Sequence, residues 1–188
     1  ITKEQYLPYV AYIEDGKIKD TLFDSYLYLP YVKYLYDGSK KKPLTKADWQ
    51  KYVDYQFEDG INLDALEAAV GETKAALGNS DYKVGVFFSI LYPVSTQTAF
   101  GEVNGRNLDF SKLADRKAGI KWLIDEQVKK FNAKGYKNLE LKGFYWFTEE
   151  IDFGDEGLLD MIRYTTDYVR QLKYFTFWIP YWQASGYN

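Results

Sequence analysis

An α/β fold built on a parallel sheet is what this sequence predicts, and three observations predict it. "KVGVFFSIL" (83–91) and "LELKGFYWF" (139–147) are near-continuous apolar runs, the mark of strands covered on both faces. Amphipathic stretches of helix length separate them from each other and from a third run, "YFTFWIPYW" (174–182). The β-α-β-α-β order from residue 83 onward is the pattern that parallel strands with crossover helices produce.

Each element has its own signal. "YVAYI" (9–13) and "LFDSYLYL" (22–29) are rich in β-formers and read as strands. The eight residues between them fall short of a parallel crossover, so the two form either a hairpin or a barrel seam lacking its helix. Thr45 and Asp48 stand in capping-box spacing and open a helix to about Phe57. Asn62 caps a second helix, "LDALEAAVGETKAAL", which stops at Gly78. Residues 92–112, "YPVSTQTAFGEVNGRNLDFSK", are too long for a plain connector and form a candidate binding loop. Asp115 starts a helix to about Ala133, with Ile120, Leu123, Ile124, Val128 and Phe131 on one face and Gly135 at its end. The last helix is "DEGLLDMIRYTTDYVRQL" (155–172), with Asp155 as its cap.

A complete (β/α)8 barrel takes roughly 250 residues. Five strands in 188 residues therefore predict one TIM-barrel-like domain over 1–188, the N-terminal part of a longer barrel whose remaining strands come from a C-terminal continuation.

Composition removes several classes of chemistry. With a net charge of −3 and a pI of about 5.2, the chain lacks the basic surface that nucleic-acid binding needs. The lysines of "SKKKP" (39–43) read as a solvated turn. No cysteine and no histidine are present, which excludes thiol nucleophiles, Ser-His-Asp triads and His-ligated zinc. Chemistry would run on Asp, Glu, Tyr, Lys or Arg, with no cofactor implied. "DFGDEG" (152–157) lacks the spacing of a calcium loop, so no metal is expected. No apolar run approaches the roughly 18 residues of a membrane span. The chain starts at Ile1 and its only methionine is Met161, so it is expected to be cut from a longer precursor. Aromatic residues make up 19% of it, and their flat apolar faces with polar edges are surfaces on which sugar rings lie.

Four segments, "YVAYIEDGKIKDTLFDSYLYL", "FGEVNGRNLDFS", "LKGFYWFTEEI" and "FWIPYWQASGYN", occur in an order that resembles the bacterial domain-of-unknown-function 4855 family, which is grouped with TIM-barrel glycoside hydrolases. The resemblance implies a barrel fold, an oligosaccharide or polysaccharide partner, and an extracellular or cell-surface bacterial setting. In the hydrolases of that group an acid/base glutamate follows the fourth strand and a nucleophile comes from a late one. Matching "FYWFTE" to this pattern makes Glu149 the acid/base, with Thr148 where many such barrels carry Asn, and puts the second carboxylate beyond this chain.

Glycoside hydrolysis needs two carboxyl groups roughly 5–5.5 Å apart for retention, or 6.5–9.5 Å for inversion. Glu149 and Glu150 are neighbours that would point to opposite sides of a strand, so at most one serves. If Leu139 and Leu141 face the helices, alternation puts Glu150 with Phe144 and Trp146 on the other face. Both glutamates equally suit the first turn before a helix, where carboxylates favour the N-terminus. Trp146, Trp178 and Trp182, at or beyond strand ends, form the expected sugar platform, with Tyr145 and Gln183 beside them. Asp24, within an apolar strand, must be paired or face a polar cavity, where it would hold a sugar hydroxyl or cap a loop. Glu102 and Arg106 would hydrogen-bond hydroxyls or pair on the surface. The expected function is a glycoside hydrolase or, alternatively, a non-catalytic carbohydrate-binding or surface module.

Overall fold

The computed structural model describes residues 1–31 and 42–184; Lys40 and Lys41 of the lysine cluster, and Ser39, lie outside the described residues. The chain begins with helix α1 (Lys3–Val10), whose first turn is closed by the Gln5 side chain accepting the Thr2 N–H at 2.9 Å. Residues 9–13 are therefore not one strand. Val10 ends the helix, and β1 (Ala11–Glu14) then pairs antiparallel with β2 (Lys17–Thr21) in a separate two-stranded sheet. Asp15 and Gly16 turn the hairpin with φ of 50° and 72°, the left-handed pair that matches strand twist.

β3 (Ser25–Tyr28) is shorter than the 22–29 run that suggested it. Helices α2 (Lys46–Gln56) and α3 (Leu63–Leu77) follow, the first with the expected capping box of Thr45 and Asp48. They lead to β4 (Val84–Ile90). The long polar stretch after β4 holds a second hairpin, β5 (Gly101–Val103) and β6 (Arg106–Leu108), turned by Asn104-Gly105 with φ of 51° and 77°. Then come α4 (Leu113–Lys134), β7 (Leu139–Trp146), α5 (Leu158–Gln171) and β8 (Phe175–Trp178).

The main sheet has the order β3-β4-β7-β8, and all three pairings are parallel. Residues 83–90, 139–147 and 174–180 are thus parallel neighbours, as their spacing predicts. The sheet has four strands among the described residues rather than five, because the 9–13 segment went to the first hairpin.

One hydrophobic cluster joins the helices to one face of this sheet. Trp49 and Val53 of α2, Leu66 and Val70 of α3, Ile120 and Leu123 of α4, and Met161 and Val169 of α5 pack with Val84, Val86, Phe88 and Ile90 of β4. Each such side chain is almost fully buried, and full burial is worth about 1.5–3 kcal/mol for a large apolar side chain.

β7 contributes Leu139, Leu141, Phe144 and Trp146 to the same cluster, a set that breaks strict alternation. The break is a bulge. Val86 pairs with Leu141 but Phe87 pairs with Gly143, so Lys142 is an extra residue and the face order inverts after it. At Gly143 the strands are so close that a Cβ would collide with the carbonyl oxygen of Phe175.

Candidate functional site

Because the four strands of the main sheet are parallel, their C-terminal ends share one edge, and the loops after them converge there. The register fixes which residues occupy the face without helices. Leu27 is opposite Phe87, Phe87 opposite Gly143 and Gly143 opposite Phe175; two residues on, Ser89 is opposite Tyr145 and Tyr145 opposite Phe177. These rings form a row: Phe87 and Phe177 are 5.2 Å apart, Phe177 and Tyr145 5.1 Å, Tyr145 and Phe147 6.5 Å, and Phe147 and Tyr31 5.6 Å. Phe87 and Phe177 are half-buried, whereas Tyr145 and Phe147 are buried.

Glu149 belongs to this row. The Tyr145 hydroxyl donates to Glu149 Oε1 at 3.3 Å. Burial first, and then the charge and hydrogen bond of Glu149, push the Tyr145 phenol well above its ordinary range, so it remains a protonated donor. The backbone around the glutamate is tied as well: Glu149 O accepts from Tyr181 N at 3.0 Å, and Thr148 O accepts from Trp178 Nε1 at 2.8 Å. The loops after β7 and β8 are thereby held together under a half-buried carboxylate. Glu150, one residue on, is exposed. The strand ends at Trp146, and the bulge at Lys142 inverts the alternation, so the parity that favoured Glu150 does not apply.

The tryptophan platform is rearranged. Trp146 packs in the helix-side core, and with Trp178 it lines a pocket of about 270 Å³ against Ile162 and Thr165 of α5. Neither indole lies on the face that carries Tyr145. Trp182 is 76% exposed beyond β8, at 5.9 Å from Tyr181, and Gln183 accepts from the Tyr181 hydroxyl at 2.6 Å.

The remaining expected residues are elsewhere. Asp24 precedes β3, at the N-terminal edge of the sheet; it is exposed and accepts from Ser25 Oγ at 3.0 Å. Glu102 is exposed on the β5–β6 hairpin, and its carbonyl accepts from Lys46 Nζ at 2.6 Å. Arg106 pairs with Asp115, which is buried and also accepts the Asp109 N–H at 2.9 Å.

Sequence reasoning missed a buried ion pair near the same edge. Arg116 and Asp155 have side chains only 3% and 9% exposed and meet through both guanidinium ends, Nη1 to Oδ1 at 2.7 Å and Nη2 to Oδ2. Arg116 Nε donates to Pro93 O at 2.9 Å, Nη2 donates to the Tyr92 hydroxyl at 3.2 Å, and that hydroxyl donates to Asp155. Burial opposes the charge on Asp155, but the Arg116 and Tyr92 hydrogen bonds and the Arg116 charge outweigh it and hold its pKa below the ordinary aspartate value. Asp155 is thus no cap for α5; that position belongs to Gly157. The signal was present in the helix periodicity, since Arg116 precedes Ile120 and Leu123 on the apolar face of α4.

Among the described residues, no three Asp or Glu side chains are grouped as a metal site, and no helix is long and apolar enough to cross a membrane. The arrangement at Glu149 presents a half-buried carboxylate that accepts hydrogen bonds, linked through the buried Tyr145 to the half-buried rings of Phe177 and Phe87. Compared with known families, residues 1–188 match the family described as "Domain of unknown function (DUF4855)". No curated protein and no solved structure matches the chain.

Proposed function

The chain belongs to the DUF4855 family, and because that description carries no activity we propose a function from the site: a carbohydrate-active protein in which Glu149 serves as a carboxylate acid/base above an aromatic floor. The observation that carries this reading is the hydrogen bond from Tyr145 to Glu149 at the end of the Phe87–Phe177–Tyr145 row. A sugar presents C–H groups to ring faces and hydroxyls to carboxylates; the half-buried rings of Phe87 and Phe177 supply the first and the half-buried Glu149 the second, with the buried Tyr145 joining Phe177 to the glutamate. Tyr145 holds the carboxylate's orientation, which acid/base chemistry requires. Parallel strands in consecutive order, with the helices on one face, support a TIM-barrel-like fold whose interior is the face carrying Tyr145. An extracytoplasmic bacterial setting belongs to the same proposal.

A second reading, a binding module without hydrolysis, is favoured by the half-buried rings of Phe87 and Phe177, which can carry stacking without any second carboxylate. Both readings make the same demand on the aromatic floor. Titration with cello-, chito-, xylo- and laminari-oligosaccharides, followed by intrinsic tryptophan fluorescence, should show saturable binding to at least one. Phe177→Ala should weaken that binding about two- to tenfold, in keeping with roughly 0.5–1.5 kcal/mol for one ring contact. Trp146→Ala should lower the melting temperature and leave the affinity of the folded protein unchanged. Absence of binding to every oligosaccharide by the wild type would refute both readings.

A further inference from the structure

We propose that Arg116 and Asp155 are positioning residues that hold the loop bearing Glu149 in place. The inference rests on the reading of Glu149 as the working carboxylate. Residues 147–157 run from the end of β7 to α5 without regular helix or strand. Glu149 sits near the start of this loop and Asp155 near its end. The start is fixed by β7, by the contact with Tyr145 and by the backbone bond from Tyr181. The far end is fixed to α4, because Asp155 is gripped by Arg116, and Gly157 lies so close to Leu113 that a Cβ there would stand 2.9 Å from its Cδ2.

The chemistry of the grip favours orientation over simple stability. A buried ion pair repays little more than the cost of desolvating it, and apolar residues of similar volume often serve stability as well. What a guanidinium fork adds is direction, since two parallel N–H bonds fix both the distance and the plane of the carboxylate. Here the fork is itself oriented from three sides, by Pro93 O, by the Tyr92 hydroxyl, and by the Tyr92 ring 5.6 Å from the guanidinium carbon. Tyr92 also meets Trp146, the last residue of β7, edge-on at 6.4 Å. The grip therefore links α4, the loop after β4 and the loop after β7 in one buried cluster, which leaves Glu149 on a segment anchored at both ends.

Two substitutions test this. Asp155→Asn keeps the shape and removes the charge, whereas Arg116→Lys keeps the charge and removes the fork. Amide hydrogen exchange across 148–156 should accelerate at least tenfold in both, with the amides of β4, β7 and α4 exchanging as in the wild type. Trp178 reports the same event optically, because its Nε1 is bonded to Thr148 O; its emission should shift to the red, and the shift should vanish in a Trp178→Phe background. Wild-type exchange at 148–156 in both folded variants would overturn the proposal, as would full recovery by Arg116→Lys, because charge alone would then suffice. Should either change unfold the chain, Tyr92→Phe carries the test, since it removes only the hydroxyl links. Several-fold faster exchange across 148–156 then supports the anchor and unchanged exchange overturns it. Exchange needs no ligand, so a wild type that binds none of the oligosaccharides would refute the carbohydrate reading while the anchor is decided separately.

Discussion

Gly143→Ala should detach β8 from the sheet and lower the melting temperature by roughly 6–12 °C, in line with a loss of about 3 kcal/mol in a chain of this size. The added methyl group would collide with Phe175 O and stand 2.9 Å from its carbonyl carbon and 3.1 Å from its Cα. These are backbone atoms of the paired strand, so no side-chain rotation relieves the collision. Either β7 and β8 part or the bulge at Lys142 rearranges. In both cases the contacts from Trp178 to Thr148 and from Tyr181 to Glu149 are strained, so the damage reaches the loop as well as the sheet. Thermal unfolding by circular dichroism, combined with hydrogen exchange of β8, measures the effect. A melting temperature within 2 °C of the wild type would mean that β8 does not press on Gly143 as described.

Glu149→Gln should slow release of reducing sugar from unactivated polysaccharides by about 10²–10⁴-fold, the range over which a positioned acid/base contributes. The amide oxygen can still accept from Tyr145, so the local shape and the binding of oligosaccharide should survive. Aryl glycosides with good leaving groups should be less affected, because their departing oxygen needs little protonation. Glu150→Gln should change nothing, in keeping with its exposure. Product release by the wild type and both variants, measured on one polysaccharide panel, decides the matter. If Glu150→Gln is the damaging change, the assignment is off by one residue. If the wild type binds a glycan and releases nothing, the protein is a binding module.

Much of the fold was legible in the residues because burial leaves a pattern. The apolar run 83–91 and the helical face from Ile120 to Phe131 could be read directly, as could the capping box at Thr45. α1 was hidden by its own composition. Tyr6, Tyr9 and Val10 favour strands and Pro8 discourages helices, yet the segment packs Tyr6 and Val10 into the core as a helix. The two hairpins carried plain signals in Asp15-Gly16 and Asn104-Gly105, dipeptides suited to left-handed turns; the first was absorbed into a linker and the second into a loop. At the site, Glu149 and Tyr145 stood out from the sequence, but the rings beside them did not. Phe177 is an ordinary strand residue until the register sets it beside Tyr145, and so is Phe87 until it meets Phe177; of the tryptophans that drew attention, Trp146 and Trp178 face the helices and Trp182 is exposed beyond β8.

The extra residue at Lys142 also bears on how chains resembling this one should be compared. Counting by twos along "LELKGFYW" is valid only within each half of the strand, because the frame changes between Leu141 and Gly143. Two chains that agree letter for letter over "FYWFTEE" would still present opposite surfaces if one lacked a residue before the glycine and kept the register of the strand's first half. Whole-motif identity would then conceal an exchange of inside for outside, with Tyr145 turned to the helices and Trp146 brought round beneath the glutamate. The residue count between the start of the strand and its glycine is therefore part of the motif, and an alignment that places a one-residue gap there compares different sites under the same letters.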